Sequence, residues 1–176
     1  MLPARGPCSL PCRNKYPALT SEQIQALQTR NVAFLSTAQV QALGEAGADV
    51  LCTDIDGEAA AAVAAAAGGP GSARAGRLDV TDAAAVQAAV DGVVARAGRL
   101  DLMFNNAGIA WGGDTELLTL DQWNAIIDVN IRGVVHGVAA AYPLMVRQGH
   151  GHIVNTASMG GLTAAGQITS YVMTKH

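Results

Sequence analysis

The chain has 176 residues, half of them hydrophobic, and a formal net charge of −3. That length and apolar content describe one ordinary domain able to bury a core. Arginines scattered without a basic stripe argue against nucleic acid as a partner, and the longest apolar runs are Ala-rich or broken by His and Pro, so none reads as a membrane span.

The first 17 residues are rich in Pro and basic side chains and lack the apolar run of a secretory signal, so residues 1–30 read as an irregular leader followed by a short helix. Cys8 and Cys12 could form half of a metal site, but no second pair or suitably placed His completes it, so no metal is expected. With three Cys in all, a reduced cytoplasmic setting is the expectation. Thr20–Leu27 and Ser36–Leu43 are near copies, each opening with a hydroxyl residue followed three positions later by Gln, the pattern of a capping box. Between them Val32–Leu35 reads as a strand.

Asp49-Val-Leu-Cys-Thr-Asp54 reads as the next strand, with Cys52 as a small buried hydrophobe. Asp54 stands at its end, where a carboxylate can accept hydrogen bonds from the ribose hydroxyls of a dinucleotide and repels a 2′-phosphate, favouring NAD over NADP. The competing role of helix N-cap suits Asp56 better, because the Ala-rich helix 57–67 follows it. Gly68-Gly-Pro-Gly71 closes that helix. Arg77–Val80 reads as a short strand, and Thr81 or Asp82 opens helix 83–97 with Val86, Val90, Val93 and Val94 as its apolar face.

Leu100–Phe104 reads as a further strand leading into Asn105-Asn-Ala-Gly108, where small residues allow backbone to approach a flat ligand; an Asn-Gly type of turn is the other reading. Leu120–Gln148 has the pattern of a long helix opened by Thr119 or Asp121, with Trp123, Ile126, Ile127, Val129 and Ile131 on its buried surface; this helix is also the candidate contact for a homo-oligomer. Asn130 is the exception in its middle, a poor interior helix residue that needs partners when buried. His136, His150 and His152 show no acid partner in register and no metal-like spacing.

A β-branched run at Ile153–Ala157 reads as a buried parallel strand, which puts Ser158 at the carboxyl end, where ligands bind in open α/β sheets. Tyr171 and Lys175 are four apart and share one face of a helix. A neighbouring ammonium favours an ionised phenol and makes Tyr usable as an acid or base near neutral pH. Ser158 adds a hydroxyl for the same reacting oxygen. Such a pair is usually an amphipathic helix turn, but with three Tyr and two Lys in the chain a chance match at this spacing beside the Ser is rare.

Ser158 followed by Tyr171-x-x-x-Lys175 resembles the active-site signature of the short-chain dehydrogenase/reductase family. Asn105-Asn-Ala-Gly108 resembles the family's motif after its fourth strand, and Asp128-Val-Asn130 resembles the segment carrying its active-site Asn. The resemblance covers residues 31–176 and implies a partial NAD(P)-binding domain, an α/β doubly wound Rossmann-like parallel sheet, incomplete at about five strands with the last strands missing. It implies hydride transfer between NAD(P), NAD favoured, and a small alcohol or ketone. The implied catalytic set is Ser158, Tyr171, Lys175 and Asn130, the Asn supporting a helix break and a water that leads to the Lys. The implied cofactor contacts are Asp54, Asp79 and Val80 (the latter two bordering the adenine), Asn106, Ala107, Gly108, Tyr171 and Lys175.

Two departures qualify this. The family's Gly-rich turn after the first strand, Thr-Gly-x-x-x-Gly-x-Gly, is absent: the chain runs from Leu35 to Gly44 without a Gly, so the pyrophosphate cradle is expected to be lost and cofactor binding impaired. The chain also stops one residue after Lys175, leaving about one helical turn from Tyr171, too short to hold itself, and an apolar strand at an exposed sheet edge. Three functional readings follow: an NAD-dependent oxidoreductase, a catalytically silent fragment or relative of one, and a partner-binding protein docking through helices 20–43 and the open edge.

Overall fold

The computed structural model describes residues 37–67, 71–163 and 165–176. The expected leader and helix over 1–30, the strand at 32–35 and the cap at Ser36 lie outside the described residues. Helices and strands alternate as α1 (Thr37–Glu45), β1 (Asp49–Asp54), α2 (Gly57–Ala66), β2 (Ser72–Arg77), α3 (Ala83–Ala97), β3 (Leu102–Asn105), α4 (Leu120–Ile127), α5 (Gly133–Gln148), β4 (His152–Asn155) and α6 (Thr169–Lys175). A π turn at Asp128–Arg132 joins α4 to α5, and 3-10 turns occur at Thr115–Leu117 and Met159–Gly161.

Among the described residues β1 pairs only with β2, and β3 only with β4, both in parallel. Strand β2 corrects the expectation of a strand at Arg77–Val80: it lies earlier, in register from Asp49 opposite Ser72 to Asp54 opposite Arg77. Ser, Ala, Gly and Arg are poor strand formers, so local preference conceals this element. Its partner places it. The Ser72 hydroxyl donates to Asp49 at 2.6 Å and Arg74 lies 3.5 Å from the same carboxylate, while a Cβ on Gly71 would come within 2.2 Å of the Ala48 carbonyl oxygen. Leu78 then continues the ladder with a single bond from its N–H to Asp54.

The helix starts follow from their caps. Asp56 accepts from Glu58 and Ala59, and Asp82, rather than Thr81, accepts from Ala84 and Ala85. Thr119 and Gln122 form the capping box that opens α4. Helices α3 and α5 end on Gly98 and Gly149 in the left-handed conformation, at φ 75° and 74°, where a Cβ would be strained.

The core gathers Val86 and Val90 of α3, Leu100, and Ala140, Ala141 and Met145 of α5. Gln148 seals its end: the side-chain amide receives the Leu100 N–H and donates to the Leu100 carbonyl, both at 2.9 Å. By length and composition the 29-residue stretch Leu120–Gln148 is long and apolar enough to cross a membrane, contrary to the sequence expectation. A helix that lines the core of an α/β layer has the same composition, and this one buries Ile126, Gly137, Ala140, Ala141 and Met145 against the fold. One histidine also departs from expectation, because the β3 and β4 register brings His150 within 3.6 Å of Asp101.

Candidate active site

The carboxyl ends of β3 and β4 lie side by side, and the polar residues there are joined across the ladder. Asn105 donates from Nδ2 to Asn155 at 2.8 Å, and the Thr156 hydroxyl donates to the Asn106 side-chain oxygen at 2.7 Å. Asn105 is buried against α5, where Gly137 leaves it room: a Cβ there would fall 1.9 Å from its Oδ1.

Asn130 occupies the π turn, the local break in the long helix that the sequence marked by its one misplaced amide. It is 4% exposed and its side chain is well satisfied. Oδ1 accepts the Ile109 N–H at 2.8 Å, and Nδ2 donates to the Ile109 carbonyl and to the Thr174 hydroxyl, each at 2.9 Å. Asn130 therefore brackets the segment just after Gly108 against α6. Gly108 is the close-approach point, since a Cβ on it would stand 3.4 Å from Asn130 Oδ1 and 3.8 Å from Lys175 Nζ.

Helix α6 presents Tyr171 and Lys175 one turn apart, with the ammonium 5.8 Å from the phenol ring centroid. Lys175 also donates to the Thr156 carbonyl at 3.2 Å. It is half-buried, and that burial pushes its ionisation below the usual lysine range. Ser158 caps the Met159–Gly161 turn by accepting the Gly160 N–H at 3.1 Å. A Cβ on Gly160 would stand 3.4 Å from the Ser158 hydroxyl and 3.2 Å from the edge of the Tyr171 ring, so serine and tyrosine flank the same glycine.

The structure thus brings Asn106, Gly108, Asn130, Ser158, Tyr171 and Lys175 into one neighbourhood. Asp54 lies on the other strand pair, and Asp79 and Val80 follow the end of its second strand. Asp54 ends β1, where one carboxylate oxygen accepts the Asp56 N–H at 2.9 Å. Asp79 accepts from both the N–H and the hydroxyl of Thr81, and these bonds hold its carboxyl below its ordinary value. Val80 is clamped by α5: its carbonyl receives the His136 Nδ1 proton at 2.9 Å, and Gly133 gives space to its side chain, which a Cβ would approach to 2.8 Å. Ala107 is exposed.

An open cleft of about 350 Å³ reaches Lys175 and Asn130 between Val134, Val135, Thr156 and Thr174; Ser158 and Tyr171 do not line it. Sequence reasoning missed Thr156, Thr174 and His136. The signal for Thr174 was there, because a hydroxyl inside a helix bonds back to the preceding turn and a buried Asn needs partners.

The family model described as short chain dehydrogenase matches residues 34–176. D-threitol dehydrogenase of Mycolicibacterium smegmatis is 36% identical over 151 residues, which make up 85% of this chain and 58% of that enzyme. Among solved structures, levodione reductase superposes with a TM-score of 0.74 at 34% identity, over 81% of this chain and 57% of its own. A metagenomic short-chain oxidoreductase in complex with NADP superposes with a TM-score of 0.72 at 34% identity, over 79% and 64%. The chain therefore spans about 58% of the length of the first of these relatives. A doubly wound Rossmann-like α/β fold is common to all of them, and the chain belongs to the short-chain dehydrogenase/reductase family of oxidoreductases.

Proposed function

We propose that this chain carries the proton-handling and nicotinamide-facing part of an oxidoreductase acting on small alcohols or ketones. The observation that carries the reading is the grouping of three functional side chains at the carboxyl end of β4: the Tyr171 phenol, the Lys175 ammonium 5.8 Å from its ring, and Ser158 across Gly160. When bound, the nicotinamide supplies or accepts the hydride. Tyr171 exchanges the proton with the substrate oxygen, Ser158 hydrogen-bonds and orients that oxygen, and Lys175 places a fixed cation beside the phenol and against the nicotinamide ribose. Asn130 supports the proton path from the helix break, holding the Ile109 main chain and the Thr174 hydroxyl next to Lys175.

Gly108, whose missing side chain leaves the backbone open beside Asn130 and Lys175, is proposed to let a flat ring pass close by, and Asn106, Ala107, Asp79 and Val80 complete the proposed contacts. Among the described residues the second oxygen of Asp54 has no hydrogen-bond partner, which suits a ribose hydroxyl and favours NAD, although two of the matched structures were solved with NADP. The phosphate side supports a second reading. Helix α1 begins at Thr37 and reaches Gly44 before its first glycine, where a Gly-rich turn would cradle a pyrophosphate, so a catalytically silent member is the alternative. The exposed Val135, Tyr142 and Val146 of α5 are the proposed surface for self-association, which sedimentation would report.

Titration of the full chain with NADH and with NADPH, followed by nucleotide fluorescence, tests the reading. Binding of NADH at lower concentration than NADPH is the expected result. No change with either up to millimolar levels overturns the oxidoreductase in favour of the silent reading.

A further inference from the structure

We propose that Thr174 is a positioning residue that ties the π turn to the helix carrying Tyr171; this rests on the reading of Tyr171 as the proton-exchanging group. Helix α6 has seven residues, and no side-chain hydrogen bond from Ile168 caps its start. Side chains of α6 bond other segments, Thr169 to Thr115 at 2.8 Å and Lys175 to the Thr156 carbonyl at 3.2 Å, but neither bond reaches the main chain of Tyr171.

The hydrogen bonds at Thr174 do reach it, and their direction is fixed by chemistry. A backbone carbonyl only accepts, so the single hydroxyl proton of Thr174 goes to the Tyr171 carbonyl at 2.8 Å. The same oxygen then accepts from Asn130 Nδ2 at 2.9 Å. The second Nδ2 proton goes to the Ile109 carbonyl, and Oδ1 takes the Ile109 N–H. One chain of bonds therefore runs from the loop after Gly108, through the π turn, to the main chain of Tyr171. It ends on the carbonyl and not on the phenol, so Thr174 touches no reacting atom and acts on where the phenol points. A valine keeps the shape of threonine but leaves an amide proton of Asn130 and the Tyr171 carbonyl one partner short, the costly kind of loss. A serine keeps the link.

The test compares full-length wild type, Thr174→Val and Thr174→Ser in two measurements. Amide hydrogen exchange over 172–176 reads the tie itself, and initial rates with D-threitol or cyclohexanol and NAD read its effect on chemistry. Thr174→Val is expected to exchange about tenfold faster there and to lose kcat with little change in the KM for NAD, while Thr174→Ser behaves as wild type in both. Wild-type exchange in the valine variant, or a serine variant as loose as the valine one, overturns the proposal. If valine prevents folding, Thr174→Ala repeats the comparison. A wild-type chain that oxidises neither alcohol sinks the catalytic reading of Tyr171, and exchange alone then decides whether Thr174 holds α6.

Discussion

Lys175 Nζ donates to the Thr156 carbonyl at 3.2 Å, so the cation of α6 is fastened to the residue that follows β4. The half-buried position disfavours its charged form and lowers its ionisation. The folded value lies below the unfolded one, so protonated Lys175 costs stability at neutral pH. That cost is relieved as pH rises through the folded value toward the ordinary lysine value.

The chain has two lysines, Lys15 and Lys175, which makes the effect directly observable. Carbon NMR of Cε-labelled lysine is expected to give one signal that titrates below the usual range and that disappears in Lys175→Arg. Two signals titrating together at the usual lysine value would contradict the burial.

Replacing Tyr171 by Phe removes the hydroxyl and keeps the ring that lies beside Gly160 and Lys175. A positioned acid or base contributes roughly 100-fold or more, so alcohol oxidation is expected to fall by at least that factor while NADH fluorescence titrates unchanged. Loss of nucleotide binding in this variant would mean that the phenol serves the cofactor and not the proton.

The parts of this architecture legible in the sequence are those governed by local chemistry. Asp56 announced α2, Thr119 was one of two candidates to open α4, and Val86 and Val90 announced the buried face of α3, because caps and periodicity act within one or two turns. The Ser158, Tyr171 and Lys175 grouping was legible as spacing, and Asn130 as an amide out of place. Strand β2 was not, since Ser72–Arg77 owes its conformation to Asp49 and the β1 ladder. Nor was the partner of Asn130, because its bond to Thr174 joins residues 44 apart in the chain, and a lone hydroxyl in a helix does not say which amide it will meet.

His136 illustrates such a tertiary link. A carbonyl can only accept, so the imidazole carries its proton on Nδ1 and donates it to Val80 at 2.9 Å, fixing the turn that also holds Asp79. Losing one such bond costs roughly 1 kcal/mol, about a fivefold change in affinity if the turn borders the adenine. His136→Phe is expected to weaken NADH binding by that factor, and His136→Asn, whose amide can take the place of Nδ1–H, to restore it. Equal binding by all three proteins would separate Val80 from the cofactor site.

Two glycines inside helices give opposite expectations from the same substitution. Gly92 lies within α3 with nothing within 4 Å of the position a Cβ would take, so Gly92→Ala gains helix propensity alone and is expected to stabilise by about 0.5–1 kcal/mol. Gly137 lies within α5, where the added Cβ would meet Asn105 Oδ1 at 1.9 Å and Met103 Cε at 3.0 Å. The buried Asn105 amide cannot move aside without breaking its bond to Asn155, so overpacking of about 1–3 kcal/mol outweighs the same propensity gain. Urea unfolding should therefore move the midpoint up for Gly92→Ala and down for Gly137→Ala. A midpoint that rises in both variants would show that Asn105 is free to swing away, and that the junction of β3 and β4 beneath the Lys175 site is looser than its hydrogen bonds imply.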